Sequence, residues 1–496
     1  MIVGAGFGGI GMGIALKKCG FDDFVILEKS DDLGGTWHEN QYPGCACDVP
    51  APLYSYSFEP NPSWSRVFAP RPEIWAYLHD CARKYGVEKH IRYGRTVERL
   101  DWDDAARRWN ITVTAEDGPP ERYRTRAVVS AVGALHVPSY PDIAGAERFA
   151  GPSFHSAHWD HSCDLTGQRV AVIGTGASAI QFIPQVARQA ARLNVFQRAA
   201  PWIHPRADVA IPERMQGTFK AAPLTGRVVR DAIYWALEAR AAGFAVHPKL
   251  MAPLERMARR HIEKQIADPG LRAKVTPDYT IGCKRILLSS DYYPALQRPD
   301  VELITEKITE ITSRAVVTAD GTAHEADVII YGTGFDVIES ATALHVTGRD
   351  GRKLTPQTLA AYHGITLAGF PNYFMLLGPN TGLGHTSVVF MIESQIQHVM
   401  SCLRRLARDH ADAIEVSEPA VRRYNTGLQR RLRRAVWSTG GCRSWYLDDD
   451  GINRALWPGF SFEYWARTRR ARRSAYAVTP ASADRAAPRP AADRVL

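Results

Sequence analysis

Two glycine-rich turns, at residues 4–9 and 174–179, each follow a short apolar segment. Glycines at such turns let the backbone approach a pyrophosphate, and the helix that follows points its positive end at the phosphates. The apolar run after the first turn ends at Glu28, whose carboxylate suits a ribose diol. The run after the second turn ends at Gln197 and Arg198, and a guanidinium suits a 2′-phosphate.

Both turns lie about twenty residues before their polar residue, the offset typical of a dinucleotide fold. The sequence therefore predicts FAD at the first turn and NADPH at the second. The glycines expected to line the two phosphate sites are Gly4, Gly6, Gly8, Gly9, Gly174 and Gly176.

Each turn must be held by a strand before it and a helix after it. Two further apolar segments, 127–133 and 326–335, end in glycine and lie on either side of the second turn. The later one is interpreted as a continuation of the first unit, and the two together indicate that the chain crosses between domains. Between residues 201 and 277, Val229, Ile233 and Leu237 recur at helical spacing, which predicts helices with an ordinary core stripe.

We therefore predict an α/β protein with two Rossmann-like dinucleotide-binding domains and a helical insert. The FAD-binding domain is discontinuous. The predicted boundaries are 1–140 and 336–470 for the FAD domain, 141–199 and 280–335 for the NADPH domain, 200–279 for the insert, and 471–496 for a disordered basic tail.

Composition narrows the class of protein. The 496 residues are 45% hydrophobic, yet no apolar run reaches the roughly 18 residues that span a bilayer. Because the chain begins directly in a strand, we expect no signal peptide and a cytoplasmic location. The net charge of +9 is concentrated in the arginines of 430–434 and 467–473. That clustering favours a solvated basic face and tail over a nucleic-acid partner.

The eight cysteines are too few and too scattered for a disulfide framework, so we expect reduced thiols. Cys45 and Cys47 lack the second ligand pair of a zinc site and the spacing of a redox dithiol. No metal site is predicted. A turn-rich loop at 377–385 leads into Thr386 and Ser387, one of which should cap a helix.

Two longer segments, 34–48 and 149–160, resemble the two fingerprints of Baeyer-Villiger monooxygenases. Together with the two glycine turns, the resemblance extends from the first residues to about Trp465. It implies an FAD- and NADPH-dependent enzyme that inserts one oxygen atom from O2 beside a ketone carbonyl, giving an ester or lactone. The segment 282–285 resembles the part of the family that carries its catalytic arginine.

The resemblance assigns Arg285 to stabilise a flavin C4a-peroxide and the Criegee-type intermediate, and Asp48 to hold or tune Arg285 beside the cofactors. It places His155 in a segment that links the domains, without a catalytic role. Trp437 and Trp445 are expected in the core. Further cofactor contacts implied by the resemblance are Glu28, Gly35, Thr36, Trp37, Asp48 and Tyr54 for FAD, and Thr175, Gly176, Ala177, Ser178, Ala179, Gln181, Gln197, Arg198 and Lys284 for NADPH.

Three alternatives stay open at this point. A flavin-containing monooxygenase that oxygenates amines or sulfides shares the nucleotide turns but does not need a peroxide-stabilising arginine. A flavin disulfide reductase needs a dithiol, for which Cys45 and Cys47 have the wrong spacing. A non-catalytic flavin redox sensor would not need a complete NADPH site. The sequence leaves the particular substrate and the oligomeric state open.

Overall fold

The computed structural model describes residues 1–442, 444, 446–448 and 451–481. Two mainly parallel sheets form its centre; in one of them, Thr366–Leu367 pairs antiparallel with Ala361–Tyr362 and with Tyr373–Met375. Parallel strands buried on both faces need nearly continuous apolar runs, as in Arg169–Ile173 and Val328–Tyr331. The first sheet has, in spatial order, Ala361–Tyr362, Thr366–Leu367, Tyr373–Met375, Val128–Ser130, Ile2–Val3, Ile26–Leu27 and Ile91–Arg92. The second has Val301–Ile304, Arg192–Phe196, Arg169–Ile173, Val328–Tyr331 and Ser153–His155.

Smaller sheets lie beside these two. Residues Ile203–His204 pair with Leu287–Leu288, and Ala411–Val416 pairs with Tyr476–Pro480. A four-stranded sheet has, in spatial order, His345–Thr347, Arg95–Asp103, Arg108–Ala115 and Glu121–Thr125; its first pair is parallel and the others are antiparallel. A three-stranded antiparallel sheet has Ile308–Ile311, Ala315–Thr318 and Ala323–Glu325.

The α-helices cover the sheets and form the insert. They are Phe7–Lys18, Thr36–Glu39, Arg71–Lys84, Ala179–Val186, Glu213–Ala221, Pro223–Glu238, Ala252–Gln265, Pro269–Val275, Tyr292–Leu296, Val337–Thr342, Val388–Arg408, Glu418–Leu432, Val436–Thr439 and Ser461–Thr468. Short 3₁₀ turns lie at Glu88–His90, Ala146–Arg148, Ser156–His158, Pro248–Met251, Arg349–Gly351 and Arg473–Ala475, and a π turn lies at Ala242–Val246. Across the described residues, no helix combines the length and apolar character that crossing a bilayer requires.

The predicted α/β fold with two Rossmann-like sheets is confirmed, and one crossing differs. Strand Val328–Tyr331, interpreted as a continuation of the first unit, lies in the second sheet between Arg169–Ile173 and Ser153–His155. The chain rejoins the first sheet later, through Tyr373–Met375. The apolar composition of Val328–Tyr331 suits a buried strand in either sheet. Only its long-range pairing decides which sheet it joins.

Two local expectations about helices have different outcomes. Ser387 caps the helix Val388–Arg408, its hydroxyl accepting from the amide of Val389, as predicted. The insert stripe was wrong in part, because Val229 is 37% exposed while Ile233 and Leu237 are only partly buried. The residues that helix Pro223–Glu238 buries are instead polar ones, Arg230 and Glu238.

The expected disordered tail at 471–496 was wrong for its first part. Tyr476–Pro480 forms an antiparallel strand with Ala411–Val416, and Tyr476 is buried. The Tyr476 hydroxyl also bonds His398 Nε2 at 2.6 Å, so this side chain adds to the strand pairing that attaches the segment to the core. Residues 482–496 of the predicted tail lie outside the described residues.

The expectation of reduced thiols was also wrong for one pair. Cys283 and Cys442 form a disulfide, while Cys19, Cys45, Cys47, Cys81, Cys163 and Cys402 are free. The two half-cystines are 159 residues apart in sequence, so spacing gave no indication of the pair. The bond attaches the turn before Arg285 to the segment that follows helix Val436–Thr439.

We expect Cys442→Ser to lower the free energy of unfolding by about 2–4 kcal/mol, because the bridge restricts the unfolded chain. Thermal unfolding without reductant measures the effect. Cys163→Ser, which alters a free cysteine, is the matched control and should be neutral. Thiol titration of the unreduced, unfolded wild type should count six free cysteines; a count of all eight would contradict the pairing.

Candidate active site

The first glycine turn is shaped by close backbone contacts. Gly4 has φ of +98°, and a Cβ on it would lie 2.7 Å from the carbonyl oxygen of Ala131. A Cβ on Gly9 would overlap the Gly4 carbonyl itself. Helix Phe7–Lys18 therefore starts directly above the end of strand Ile2–Val3, a path that only glycine permits at these two positions.

Glu28 lies at the end of the next strand and faces this turn. Its Oε2 accepts from the amide of Ala5 at 2.6 Å, and its Oε1 accepts from the amide of Ser30 at 3.1 Å. Burial raises the pKa of Glu28, and the two backbone amides oppose that effect. The predicted ribose-binding carboxylate is thus held beside the turn by the turn's own backbone.

The first fingerprint packs onto the same turn. Gly35, at φ of +53°, would bring a Cβ within 3.1 Å of the Gly6 Cα, so the two glycine segments touch. Thr36 begins the short helix Thr36–Glu39. Trp37 is buried and its indole donates to the Tyr54 hydroxyl at 3.2 Å. The structure therefore groups these predicted FAD residues around one turn, with Gly8 beside the Ala131 side chain.

The second glycine turn repeats this construction. Gly174 has φ of +111°, and a Cβ there would overlap the carbonyl of Gly332 in the later Gly-Thr-Gly segment. Gly176 and Ala177 are exposed, with Thr175 buried beneath them. Ser178 occupies the N-cap position of helix Ala179–Val186. The open side of the turn leaves its backbone accessible to a phosphate.

The Gln181 side chain, predicted to contact NADPH, forms hydrogen bonds with the first fingerprint. Its Oε1 accepts from the Tyr42 hydroxyl at 3.0 Å and from the Ala46 amide at 3.3 Å, and its Nε2 donates to the Ala46 carbonyl at 3.0 Å. The side chain thus joins the second nucleotide unit to the first fingerprint. The backbone of Gly44 also approaches Gln181 closely, since a Cβ on Gly44 would lie 2.9 Å from its carbonyl oxygen.

Two cations lie near the end of strand Arg192–Phe196. Arg198 is exposed. Lys284 is half-buried with its Nζ 5.0 Å from the centre of the Tyr279 ring, and burial together with the charge of Arg198 lowers its pKa. Gln197 is buried and donates to the Lys274 carbonyl at 2.7 Å. Arg198 and Lys284 thus form a positive site beside the second turn, while Gln197 binds the insert.

Arg285 and Asp48 form a bidentate ion pair. Nε and Nη2 of Arg285 each donate to one carboxylate oxygen, both at 2.7 Å. The side chains are 36% and 26% exposed, so the pair borders an accessible space. The Asp48 charge raises the pKa of Arg285 above its ordinary value. Burial alone would raise the pKa of Asp48, but the charge and hydrogen bonds of Arg285 hold it below its usual range.

This ion pair persists over the whole neutral range. Since the pKa of Asp48 is lowered on folding, the stability that the pair contributes is present above the ordinary carboxyl pKa and is lost only as pH falls through the lowered value. Arg285 consequently has a fixed position and a permanent charge, the two properties that binding of a developing anion requires.

The sequence did not indicate Tyr446. It is buried, its hydroxyl bonds the backbone of Arg285, and burial raises its pKa to about 12. Its neutral hydroxyl thus lies beside the ion pair. Of the two tryptophans expected in the core, Trp437 is buried and stacks on Phe244 at 5.8 Å, and Trp445 lies outside the described residues.

His155 is fully buried in the linking segment. Its Nδ1 accepts from the Ala157 amide at 3.1 Å, and the rings of Tyr140 and Phe335 contact its ring edge-on. Burial lowers its pKa to about 4, so the imidazole is neutral at physiological pH. This environment is that of a packing residue between the fingerprint and the end of the second sheet.

The thiols of the first fingerprint are buried, which disfavours their thiolate form. Burial raises the pKa of Cys45 to about 11 and that of Cys47 further. A nucleophilic thiol needs the opposite shift. A pocket of about 360 Å³ lies between the fingerprints, lined by residues including Pro43, Trp159 and Gln185, but neither Arg285 nor Asp48 lines it. The ion pair, rather than this pocket, therefore marks the candidate centre.

Comparison with known proteins identifies the family. Residues 1–221 match a family model described as pyridine nucleotide-disulphide oxidoreductase. A Baeyer-Villiger monooxygenase of Pseudomonas aeruginosa is 49% identical over 96% of this chain and 91% of that protein, and one of Streptomyces coelicolor is 45% identical over 96% and 92%. A crystal structure of OTEMO complexed with FAD and NADP superposes with a TM-score of 0.86 at 26% identity, covering 96% of this chain and 98% of that one. On this identity and coverage, the chain belongs to the Baeyer-Villiger monooxygenase family.

Proposed function

We propose that this protein uses FAD, NADPH and O2 to convert a ketone into an ester or lactone. The observation that carries the proposal is the bidentate Arg285–Asp48 pair, which joins the first fingerprint to the segment after the insert. An arginine with a fixed counter-ion at an accessible surface is suited to stabilise an anion that forms only during reaction.

The residues present fit both cofactors. The turn at 4–9 and the Glu28 carboxylate offer a phosphate cradle and a ribose acceptor, and Gly35, Thr36, Trp37 and Tyr54 flank them. The turn at 174–179, with Arg198 and Lys284 nearby, offers a cradle and a 2′-phosphate site. When bound, the flavin supplies electron transfer from NADPH and activation of O2. The predicted boundaries of the FAD domain, the NADPH domain and the insert are part of this proposal.

Arg285 has the central role in oxygen transfer. Its guanidinium is permanently charged, planar and held by Asp48, so it needs little reorganisation to bind a negative charge. Asp48 also tunes Arg285, because a bidentate partner fixes the plane of the guanidinium. The peroxide stabilisation that the resemblance implies for Arg285 stays a prediction.

The alternatives gain no specific support. The buried thiols of Cys45 and Cys47, with raised pKa values, argue against a disulfide reductase. An accessible second turn with two cations argues against a sensor that needs no NADPH. Amine or sulfide oxygenation differs from ketone oxygenation in its need for Arg285, so the arginine variant separates these two activities.

We expect Arg285→Ala to retain NADPH-dependent flavin reduction and to lose ketone oxygenation by about 100-fold or more, as loss of a key anion-binding donor does. Anaerobic bleaching of the flavin measures reduction, and gas chromatography of the ester measures oxygenation. Asp48→Asn should give a smaller loss, and the double variant should be far from additive because the two residues act as one unit.

Arg298→Ala is a matched control for removing a cation. Arg298 is an exposed arginine that pairs with Asp300. This variant should oxygenate ketones like the wild type. Undiminished ester formation by Arg285→Ala would disprove the role of Arg285. Oxidation of sulfides but not of ketones by the wild type would favour the heteroatom oxygenase.

Removal of the positive site should change nucleotide preference. We expect Arg198→Ala to raise KM for NADPH about tenfold or more, since a charge-assisted contact to the 2′-phosphate is lost. KM for NADH, which lacks that phosphate, should stay nearly constant. Arg188→Ala, an exposed arginine of the same unit, is the control. Equal effects on NADPH and NADH would contradict a 2′-phosphate contact.

A further inference from the structure

Helix Pro223–Glu238 of the insert buries its charged residues against the rest of the protein. Glu238 has a side chain only 1% exposed, as does His385, whose Nε2 lies 3.2 Å from Glu238 Oε2. The hydroxyl of Ser461 donates to the same oxygen at 2.8 Å, and the amide of Ser461 donates to Oε1. We name these three residues the Glu238 cluster.

The Glu238 cluster joins three distant parts of the chain. Glu238 ends the insert helix, His385 belongs to the turn-rich loop before helix Val388–Arg408, and Ser461 begins helix Ser461–Thr468. A buried carboxyl group is costly unless its oxygens are hydrogen-bonded. Here three donors satisfy it, so the helix end has one well-defined position relative to the loop.

Phe244 extends this contact toward the ion pair. It follows Glu238 in the π turn Ala242–Val246 and is 2% exposed. Two glycines approach the same edge of its ring: a Cβ on Gly282 would lie 3.0 Å from the ring atom Cε1, and one on Gly384 would lie 3.2 Å from that atom. Gly282 lies three residues before Arg285 in the sequence, and Gly384 directly precedes His385. The ring therefore sets the separation between the segment carrying Arg285 and the loop.

The same helix also contacts the segment after Asp48. Nη1 of the buried Arg230 donates to the Pro52 carbonyl at 2.6 Å and to the Ser55 hydroxyl at 3.2 Å. The insert is thus attached near both members of the ion pair, through Arg230 on the Asp48 side and through Phe244 on the Arg285 side.

We propose that Glu238 is a positioning residue for oxygen transfer: through His385 and Ser461 it fixes the insert so that Phe244 holds the Arg285 segment against the loop of 378–387. The inference rests on the proposed function. It means that the insert determines where Arg285 lies. Glu238 acts through these residues rather than on Arg285 directly.

The test compares Glu238→Gln with the wild-type holoenzyme. Glutamine keeps the size of the side chain but replaces one acceptor oxygen with a donor, so at least one of the three contacts is lost. We expect anaerobic flavin reduction by NADPH to be unchanged. The ratio of ester formed to NADPH consumed should fall about tenfold and peroxide release should rise, because Arg285 would be displaced by less than the roughly 1 Å that costs on the order of 100-fold. A purely structural role would lower reduction and oxygenation together.

Phe244→Leu tests the second half of the path: it removes the ring that packs near Gly282, Gly384 and His385 but keeps the polar groups of the Glu238 cluster. It should show the same loss of coupling with normal flavin reduction. Glu263→Gln, an exposed carboxyl of the same insert, should behave as the wild type. Full coupling in both Glu238→Gln and Phe244→Leu would overturn the proposal.

Hydrogen exchange of the holoenzyme separates this inference from the proposed function. In Glu238→Gln we expect faster exchange in peptides covering 280–287 and 378–387 as well as in the insert. Faster exchange confined to the insert would overturn the positioning role. Ester formation by the wild type tests the proposed function independently, because exchange does not depend on turnover.

Discussion

The rest of the structure depends on one ion pair, which joins residues 237 positions apart in the chain. Arg285 and Asp48 meet only if the first fingerprint, the second nucleotide unit and the insert are all folded and packed together. Removing one partner of such a pair leaves an uncompensated charge, which costs about 3–5 kcal/mol when the pair is buried and less where, as here, both side chains are partly exposed. The pair is therefore both a product of the tertiary structure and a constraint on it.

Other polar contacts between the units support the same arrangement. Gln181 binds Tyr42 and Ala46 with its whole amide, and Arg230 binds the segment after Asp48. Each of these side chains is buried or partly buried with its partners satisfied. Contacts of this kind favour one packing of the domains over others, because a shifted interface would leave the same groups without partners.

The two nucleotide units divide the chemistry between them. The first unit presents a carboxylate, Glu28, beside its glycine turn, whereas the second presents two cations, Arg198 and Lys284. Asp48 comes from the first unit and Arg285 from the chain that leaves the insert and enters the second. The interrupted chain order thus places the proposed reacting cation at the boundary of the two units, where both cofactors would lie.

The sequence by itself determined the two glycine turns, their adjacent strands and helices, Glu28, the Ser387 cap and, through the fingerprints, the roles proposed for Arg285 and Asp48. These signals are local: a turn that excludes a Cβ, a cap or a buried strand is specified by neighbouring residues. Only the tertiary structure decided that strand Val328–Tyr331 joins the second sheet and that Tyr476–Pro480 forms a strand. It also decided three side-chain pairings: Gln181 with the first fingerprint, Cys283 with Cys442, and Glu238 with His385. Each of these pairings joins segments far apart in the chain, and the physical reason they escaped prediction is that their free energy comes from mutual burial, which no single segment contains.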